Sequence, residues 1–148
     1  MTTLLLSGGA GFIGPSLIER AARDGHDAFV IDNFSRGRRE HLNASTTIIE
    51  ADLAQPDSVE RVARMLGTRK IDQCWHLAAN SDIPAGVSDA TVDLRDTFLS
   101  TFHFLLLAPR THLVVGELGR GGGLRRALPA HLRGLDAQLL GALLGQLQ

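Results

Sequence analysis

Short apolar runs alternate with amphipathic stretches along the first hundred residues. The apolar runs, which are typical of strands buried in a parallel sheet, lie at residues 4–6, 28–31, 46–51 and 71–79. Apolar residues at helical spacing occupy residues 12–23, 56–66 and 91–108. This alternation predicts an α/β fold with three layers, α/β/α. Its parallel sheet should have the strand order 3-2-1-4, because the crossovers are right-handed.

Three glycines follow the first apolar run directly, at positions 8, 11 and 14. Glycine tolerates positive φ, and its missing Cβ leaves room for a phosphate group. The helix that starts next offers free N–H groups and the positive end of its dipole to an anion. A glycine turn that binds nothing is the alternative. The strand before the turn and the helix after it favour a Rossmann-type dinucleotide site, in which the third glycine lets the helix pack closely on the strand.

Asp32 ends the second apolar run, about 20 positions past the last glycine, where a ribose-binding acid is expected. A carboxylate there accepts hydrogen bonds from both ribose hydroxyls and repels a 2′-phosphate, which favours NAD over NADP. Arg36, Arg38 and Arg39 follow and could accommodate such a phosphate. We interpret them as a solvated loop face. A turn aspartate without a ligand is the alternative reading of Asp32.

Other candidate residues stand at the ends of the third and fourth predicted strands. Asp52 could accept a hydrogen bond from an adenine amino group, or it could cap the next helix. The small side chains of Ala78 and Ala79 leave room for a cofactor at the sheet edge. We interpret His76 as a hydrogen-bonded core histidine and Cys74 as a core residue.

Composition narrows the classes of function. A chain of 148 residues with a net charge of −1 predicts one domain that does not bind nucleic acid. No apolar run is long enough to span a bilayer. The single cysteine fits a reducing compartment, so we expect a cytoplasmic protein without a membrane partner. We predict no metal site.

Four motifs together resemble the extended short-chain dehydrogenase/reductases, and within them the NAD-dependent epimerase/dehydratase family typified by UDP-glucose 4-epimerase. They are the segments 7–14, 32–35, 51–53 and 76–79. The resemblance extends over roughly residues 1–108. It implies NAD as cofactor and a nucleotide sugar as the substrate of full-length relatives. It also implies which residues contact the cofactor. Gly8, Gly11 and Gly14 would lie at the pyrophosphate, with the backbone of Phe12 and Ile13 beside the cofactor. Asp32 and Asn33 would lie at the adenosine ribose, Asp52 and Leu53 at the adenine, and Ala78 and Ala79 near the nicotinamide.

Beyond residue 108 the chain departs from this family. The family continues with a strand and a Tyr-x-x-x-Lys pair, in which the tyrosine is the acid/base of hydride transfer. Residues 113–115 could form that strand, but the chain contains no tyrosine, and its single lysine is Lys70. The sequence therefore predicts a truncated NAD-binding Rossmann domain over residues 1–111, incomplete at its C-terminus, with no catalytic residue.

The remaining segment, residues 112–148, is rich in glycine, leucine and arginine and contains no serine, threonine, tyrosine or lysine. Leucines at helical spacing suggest a helix that packs on the sheet edge or on the second subunit of a homodimer. A poorly ordered segment produced by out-of-frame translation of a GC-rich gene is the interpretation we favour.

Three hypotheses of function follow. The first is the cofactor-binding half of a nucleotide-sugar epimerase or dehydratase, without catalysis. The second is a dinucleotide-binding module or partner subunit that never catalyses. The third is another βαβ enzyme, such as an adenosyl-methyltransferase. The glycine spacing combined with His76–Ala79 favours the first over the third.

Overall fold

The computed structural model describes residues 1–107 and two short segments, 116–117 and 125–126. The chain divides into two units, Met1–Val114 and Val115–Gln148. In the second unit, β5 (Gly116–Glu117) pairs antiparallel with β6 (Arg125–Arg126). The predicted strand at 113–115 and the rest of the segment from 112 to 148 lie outside the described residues.

The first unit is built on a four-stranded parallel sheet in the order β3-β2-β1-β4, which confirms the predicted fold and strand order. Its strands are β1 (Thr3–Ser7), β2 (Asp27–Asp32), β3 (Thr47–Glu50) and β4 (Gln73–His76). The third and fourth strands are shorter at both ends than the predicted ranges 46–51 and 71–79, because residues 46, 51, 71–72 and 77–79 lie outside the paired strands.

Helices cover both faces of this sheet. Leu4 and Leu6 of β1 pack with Ile18 and Ala21 of α1 (Gly14–Arg23). Leu5, which points to the opposite face because side chains alternate along a strand, is fully buried. A right-handed crossover from β3 to β4 places α2 (Ser58–Leu66) on that face. There α2 contacts α5 (Ser100–Leu107).

Two helical predictions need correction. The predicted first helix begins at Gly14 instead of Phe12, because residues 12 and 13 belong to the glycine turn. The predicted helix over 91–108 is one continuous helical run in its described residues, but it is not α-helical throughout: a π-helical stretch (Leu94–Leu99) lies between α4 (Ala90–Asp93) and α5. The Ser100 hydroxyl bonds the Asp96 carbonyl at 2.7 Å, a contact that competes with the backbone ladder in this region.

One helix was missed entirely. Helix α3 (Ile83–Ser88) begins after Asp82, whose side chain accepts a hydrogen bond from the Ala85 N–H at 3.0 Å. Pro84 lies in its first turn, where the missing N–H removes no helical hydrogen bond. The sequence Asp82-Ile83-Pro84 is thus a helix start signal of capping residue and proline. None of the helices in the described part of the chain is long and apolar enough to cross a membrane.

Candidate functional site

A cleft of about 1080 Å³ lies at the carboxyl ends of β1, β2 and β4, where ligands bind in open parallel sheets. The glycine turn forms its floor, and the loops after β2, β3 and β4 form its walls. All the predicted site residues except Gly14 line this cleft: Gly8, Gly11, Phe12, Ile13, Asp32, Asn33, Asp52, Leu53, Ala78 and Ala79.

The glycines of the turn meet different steric demands. Gly8 has φ +67°, and a Cβ there would lie 2.6 Å from the backbone nitrogen of Ala78. Gly14 is buried behind the cleft, where a Cβ would lie 2.1 Å from the Gly9 carbonyl oxygen. The third glycine therefore allows the helix to start against the turn itself. The expected close approach is present, but its partner is Gly9 and not the strand.

The turn leads into a helix start that leaves backbone donors available. No described side chain caps α1, its first turn holds no acidic residue, and Pro15 lies within that turn. The first N–H groups of a helix have no partner within the helix. Phe12 is fully exposed and Ile13 is 58% exposed beside these groups. This end of α1 is therefore an electropositive, uncapped border of the cleft.

Asp32 holds the opposite border and is 8% exposed. One carboxylate oxygen accepts a hydrogen bond from the Ala10 N–H at 2.9 Å, and the other accepts from the Phe34 N–H at 2.8 Å. Each oxygen keeps a further lone pair for another donor. The carboxylate therefore fixes the glycine turn to the loop after β2, and it stabilises Phe34 at φ +55°, a conformation rare for a bulky residue.

The arginine loop after β2 carries two surface ion pairs. Arg36, Arg38 and Arg39 are exposed as expected, but Arg36 bonds Asp82 at 2.9 Å, across to the loop after β4. The Asp82 pKa is held below its usual value by the Ala85 N–H and then by Arg36. Arg39 pairs with Glu50 and stacks on Phe34. The three side chains thus form an exposed loop face, as interpreted, and two of them carry ion pairs that the sequence did not predict.

Asp52 and Leu53 lie after β3 and line the cleft. The Asp52 carboxylate accepts from the Ala54 N–H at 2.9 Å, within its own loop. It does not cap α2, whose N-cap residue is Asp57. The Leu53 carbonyl accepts from the buried His103 imidazole of α5 at 2.6 Å. Sequence reasoning missed this bond. The available indication was a histidine within an otherwise apolar helix, which needs a hydrogen-bond partner when buried.

The loop after β4 is organised by Asn80, which sequence reasoning also missed. Its N–H donates to the Thr97 hydroxyl at 3.0 Å, and its side-chain amide donates to the Asp82 carbonyl and the Asp93 carboxylate, both at 2.9 Å. These bonds hold Ala78 and Ala79 at the cleft wall opposite the glycine turn. A polar residue directly after two alanines was the available signal.

His76 and Cys74 lie beneath the cleft and do not line it. The two His76 ring nitrogens contact the Ser7 hydroxyl at 2.5 Å and the Thr101 hydroxyl at 2.8 Å. Burial lowers the His76 pKa and raises the pKa of the Cys74 thiol, so it favours the uncharged form of both groups. Cys74 is buried in the core as interpreted, whereas His76 is hydrogen-bonded as interpreted but only partly buried.

The sequence from residue 4 to residue 115 matches the model of the NAD dependent epimerase/dehydratase family. The chain belongs to this family. It is 30% identical over 112 residues to UDP-glucuronic acid decarboxylase 1 of Danio rerio, covering 72% of this chain and 24% of that protein. It is 35% identical over 109 residues to UDP-glucose 4-epimerase of Corynebacterium glutamicum, covering 74% and 31%.

Solved structures agree with the family assignment. A crystal structure of UDP-galactose 4-epimerase superposes with a TM-score of 0.64 at 29% identity, covering 77% of this chain and 37% of that one. The family member described here thus spans about a quarter to a third of the length of its curated relatives. Those relatives act on nucleotide sugars, and the match favours the epimerase hypothesis over the methyltransferase one.

Proposed function

We propose that this chain binds NAD in the cleft, as the cofactor-binding part of a nucleotide-sugar epimerase or dehydratase. The observation that carries the proposal is the convergence of the predicted residues on one cleft between an uncapped helix start and a buried carboxylate. The absence of a side chain at Gly8, where a Cβ would lie 2.6 Å from the Ala78 nitrogen, lets the glycine turn and the loop after β4 approach closely at this cleft.

The residues present fit the cofactor chemically. Backbone N–H groups at Gly11, Phe12 and Ile13 would hold the pyrophosphate, and Asp32 with Asn33 would hold the adenosine ribose. Asp52 and Leu53 would border the adenine, and Ala78 and Ala79 the nicotinamide end. When bound, NAD supplies a nicotinamide carbon that accepts a hydride and returns it.

We expect NAD⁺ to bind more tightly than NADP⁺. The reason is the buried Asp32 carboxylate, which accepts from ribose hydroxyls and repels a 2′-phosphate. Titration calorimetry of the full chain with each dinucleotide measures both affinities. Equal or reversed affinities would contradict the proposal and assign a phosphate-binding role to the arginine loop.

We also propose that this 148-residue chain does not turn over a nucleotide sugar by itself. Hydride transfer requires a group that takes the proton of the sugar hydroxyl, and the chain has no tyrosine. Among the described histidines, His76 and His103 are engaged in hydrogen bonds, and only His41 lines the cleft. A missing acid/base typically removes about 10²–10⁴-fold of rate.

Incubation of the chain with NAD⁺ and UDP-glucose or UDP-galactose tests this prediction. We expect neither the 4-epimer nor protein-bound NADH to accumulate above a no-protein control. Steady turnover that disappears in the His41→Ala variant would contradict the prediction and identify a substitute base. The second hypothesis, a binding module that serves a partner subunit, also predicts no turnover by this chain alone. It differs in requiring that turnover appear when the catalytic partner is added.

A further inference from the structure

Arg39 lies in the loop after β2, between the cleft-lining residues Gly37 and His41, and is held there by two contacts. Its guanidinium carbon lies 4.2 Å from the centroid of the Phe34 ring, and the guanidinium forms an ion pair with the Glu50 carboxylate. The aromatic ring orients the guanidinium by stacking, and the carboxylate neutralises its charge. Both acid and base are more than half exposed, so the pair is open to replacement by another anion.

This ion pair lies next to the acid that faces the expected ribose. Glu50 is the register partner of Asp32 on the neighbouring parallel strand, and register partners present their side chains on the same face. Phe34, on which Arg39 stacks, donates its N–H to Asp32 at 2.8 Å. The Arg39 guanidinium therefore stacks on a residue whose backbone contacts Asp32, and its ion-pair partner is in register with Asp32.

An arginine near the ribose-binding acid is the feature that accommodates a 2′-phosphate in dinucleotide sites. Here the Arg39 guanidinium is already paired with a carboxylate, and a phosphate could pair with it only by displacing Glu50. We propose that Glu50 is a specificity-determining residue, which selects NAD against NADP by keeping Arg39 engaged. This inference rests on the proposed binding of NAD in the cleft.

Arg36 is a weaker candidate for this role. Its partner, Asp82, belongs to the loop after β4 and caps α3 as well, so its position is fixed by contacts unrelated to the ribose end. Glu50, in contrast, lies at the end of β3 and in register with Asp32. Loss of the Glu50 charge frees a cation beside the ribose-binding acid itself.

The Glu50→Gln variant tests the inference by calorimetry with NAD⁺ and NADP⁺. We expect the affinity for NADP⁺ to rise about tenfold, since the freed guanidinium gains a charge-assisted bond to phosphate, and the affinity for NAD⁺ to change little. The Arg39→Gln/Glu50→Gln double variant should lose the gain. Asp24→Asn, which removes the acid of a comparable exposed ion pair on the far end of α1, should change neither affinity.

The outcomes separate the two proposals. Absence of NAD⁺ binding by the unmodified chain overturns the proposed function. NAD⁺ binding by Glu50→Gln shows that this variant is folded. If it binds NAD⁺ normally and its NADP⁺ affinity is unchanged, the role of Glu50 is overturned. A gain that persists in the double variant overturns the part assigned to Arg39 and leaves direct repulsion by Glu50 as its cause. If Glu50→Gln loses NAD⁺ binding as well, Glu50→Ala decides, because it removes the same charge: an NADP⁺ affinity no higher than that of the unmodified chain overturns the role of Glu50.

Discussion

Replacement of Gly14 by alanine is expected to cost about 3 kcal/mol or more of folding free energy. The three atoms nearest to the added Cβ are backbone atoms of Gly9, at 2.1 to 2.6 Å. No side-chain rotation relieves an overlap between backbone atoms, so the turn and the start of α1 must separate. Urea denaturation followed by circular dichroism measures the loss, and calorimetry with NAD⁺ should show binding lost with it.

Gly25→Ala is the matched control for this substitution. Gly25 follows the same helix, has φ +74°, and has no atom within 4 Å of an added Cβ. Its cost is therefore conformational only, about 1–2 kcal/mol. If Gly14→Ala proves no more destabilising than Gly25→Ala, the close packing of turn and helix described here is wrong.

Asp32→Ala is expected to weaken NAD⁺ binding by about 10- to 100-fold, because a hydrogen bond to a charged group contributes about 1.5–3 kcal/mol. The same variant should narrow the difference between NAD⁺ and NADP⁺, since the repulsion of a 2′-phosphate disappears. It also removes the acceptors of the Ala10 and Phe34 N–H groups, so a lower stability should accompany the lower affinity. Calorimetry and denaturation measure the two effects separately.

Asp72→Ala separates the effect on the site from the effect on stability. Asp72 also accepts a hydrogen bond from a backbone N–H, that of Thr3 at 3.0 Å, but it does so at the amino end of β1, opposite to the cleft. We expect this variant to lose stability and to keep its NAD⁺ affinity. Equal losses of affinity in both aspartate variants would mean that Asp32 acts through stability alone.

The sheet and the positions of the site residues could be predicted because they depend on local patterns. Continuous apolar runs mark the buried strands, and the right-handed crossover rule then fixes their order. The same order brings the residues that follow each strand to one edge. This is why Gly8, Asp32 and Ala78, far apart in the sequence, line the same cleft.

The loops could not be predicted, because their conformation depends on side chains that meet only in the folded chain. Arg36 bonds the Asp82 carboxylate of the loop after β4, and His103 bonds the carbonyl of Leu53, 50 residues away in the sequence. Neither pair leaves a periodic signal in the sequence. The π-helical stretch within the helix over 91–108 differs from these pairs, because the Ser100 and Thr101 hydroxyls beside it bond carbonyls only four residues back in the same helix.

The most direct test of whether the cleft binds the cofactor is an NMR titration. Amide ¹H–¹⁵N spectra of the ¹⁵N-labelled full chain are recorded as NAD⁺ is added. We predict saturable shifts concentrated in the glycine turn, at Gly11, Phe12 and Ile13, at Phe34 beside Asp32, and at Ala78 across the cleft. The Asp32→Ala variant should require a higher NAD⁺ concentration for the same shifts. Spectra that do not change with NAD⁺, or shifts confined to residues outside the cleft, would contradict the account.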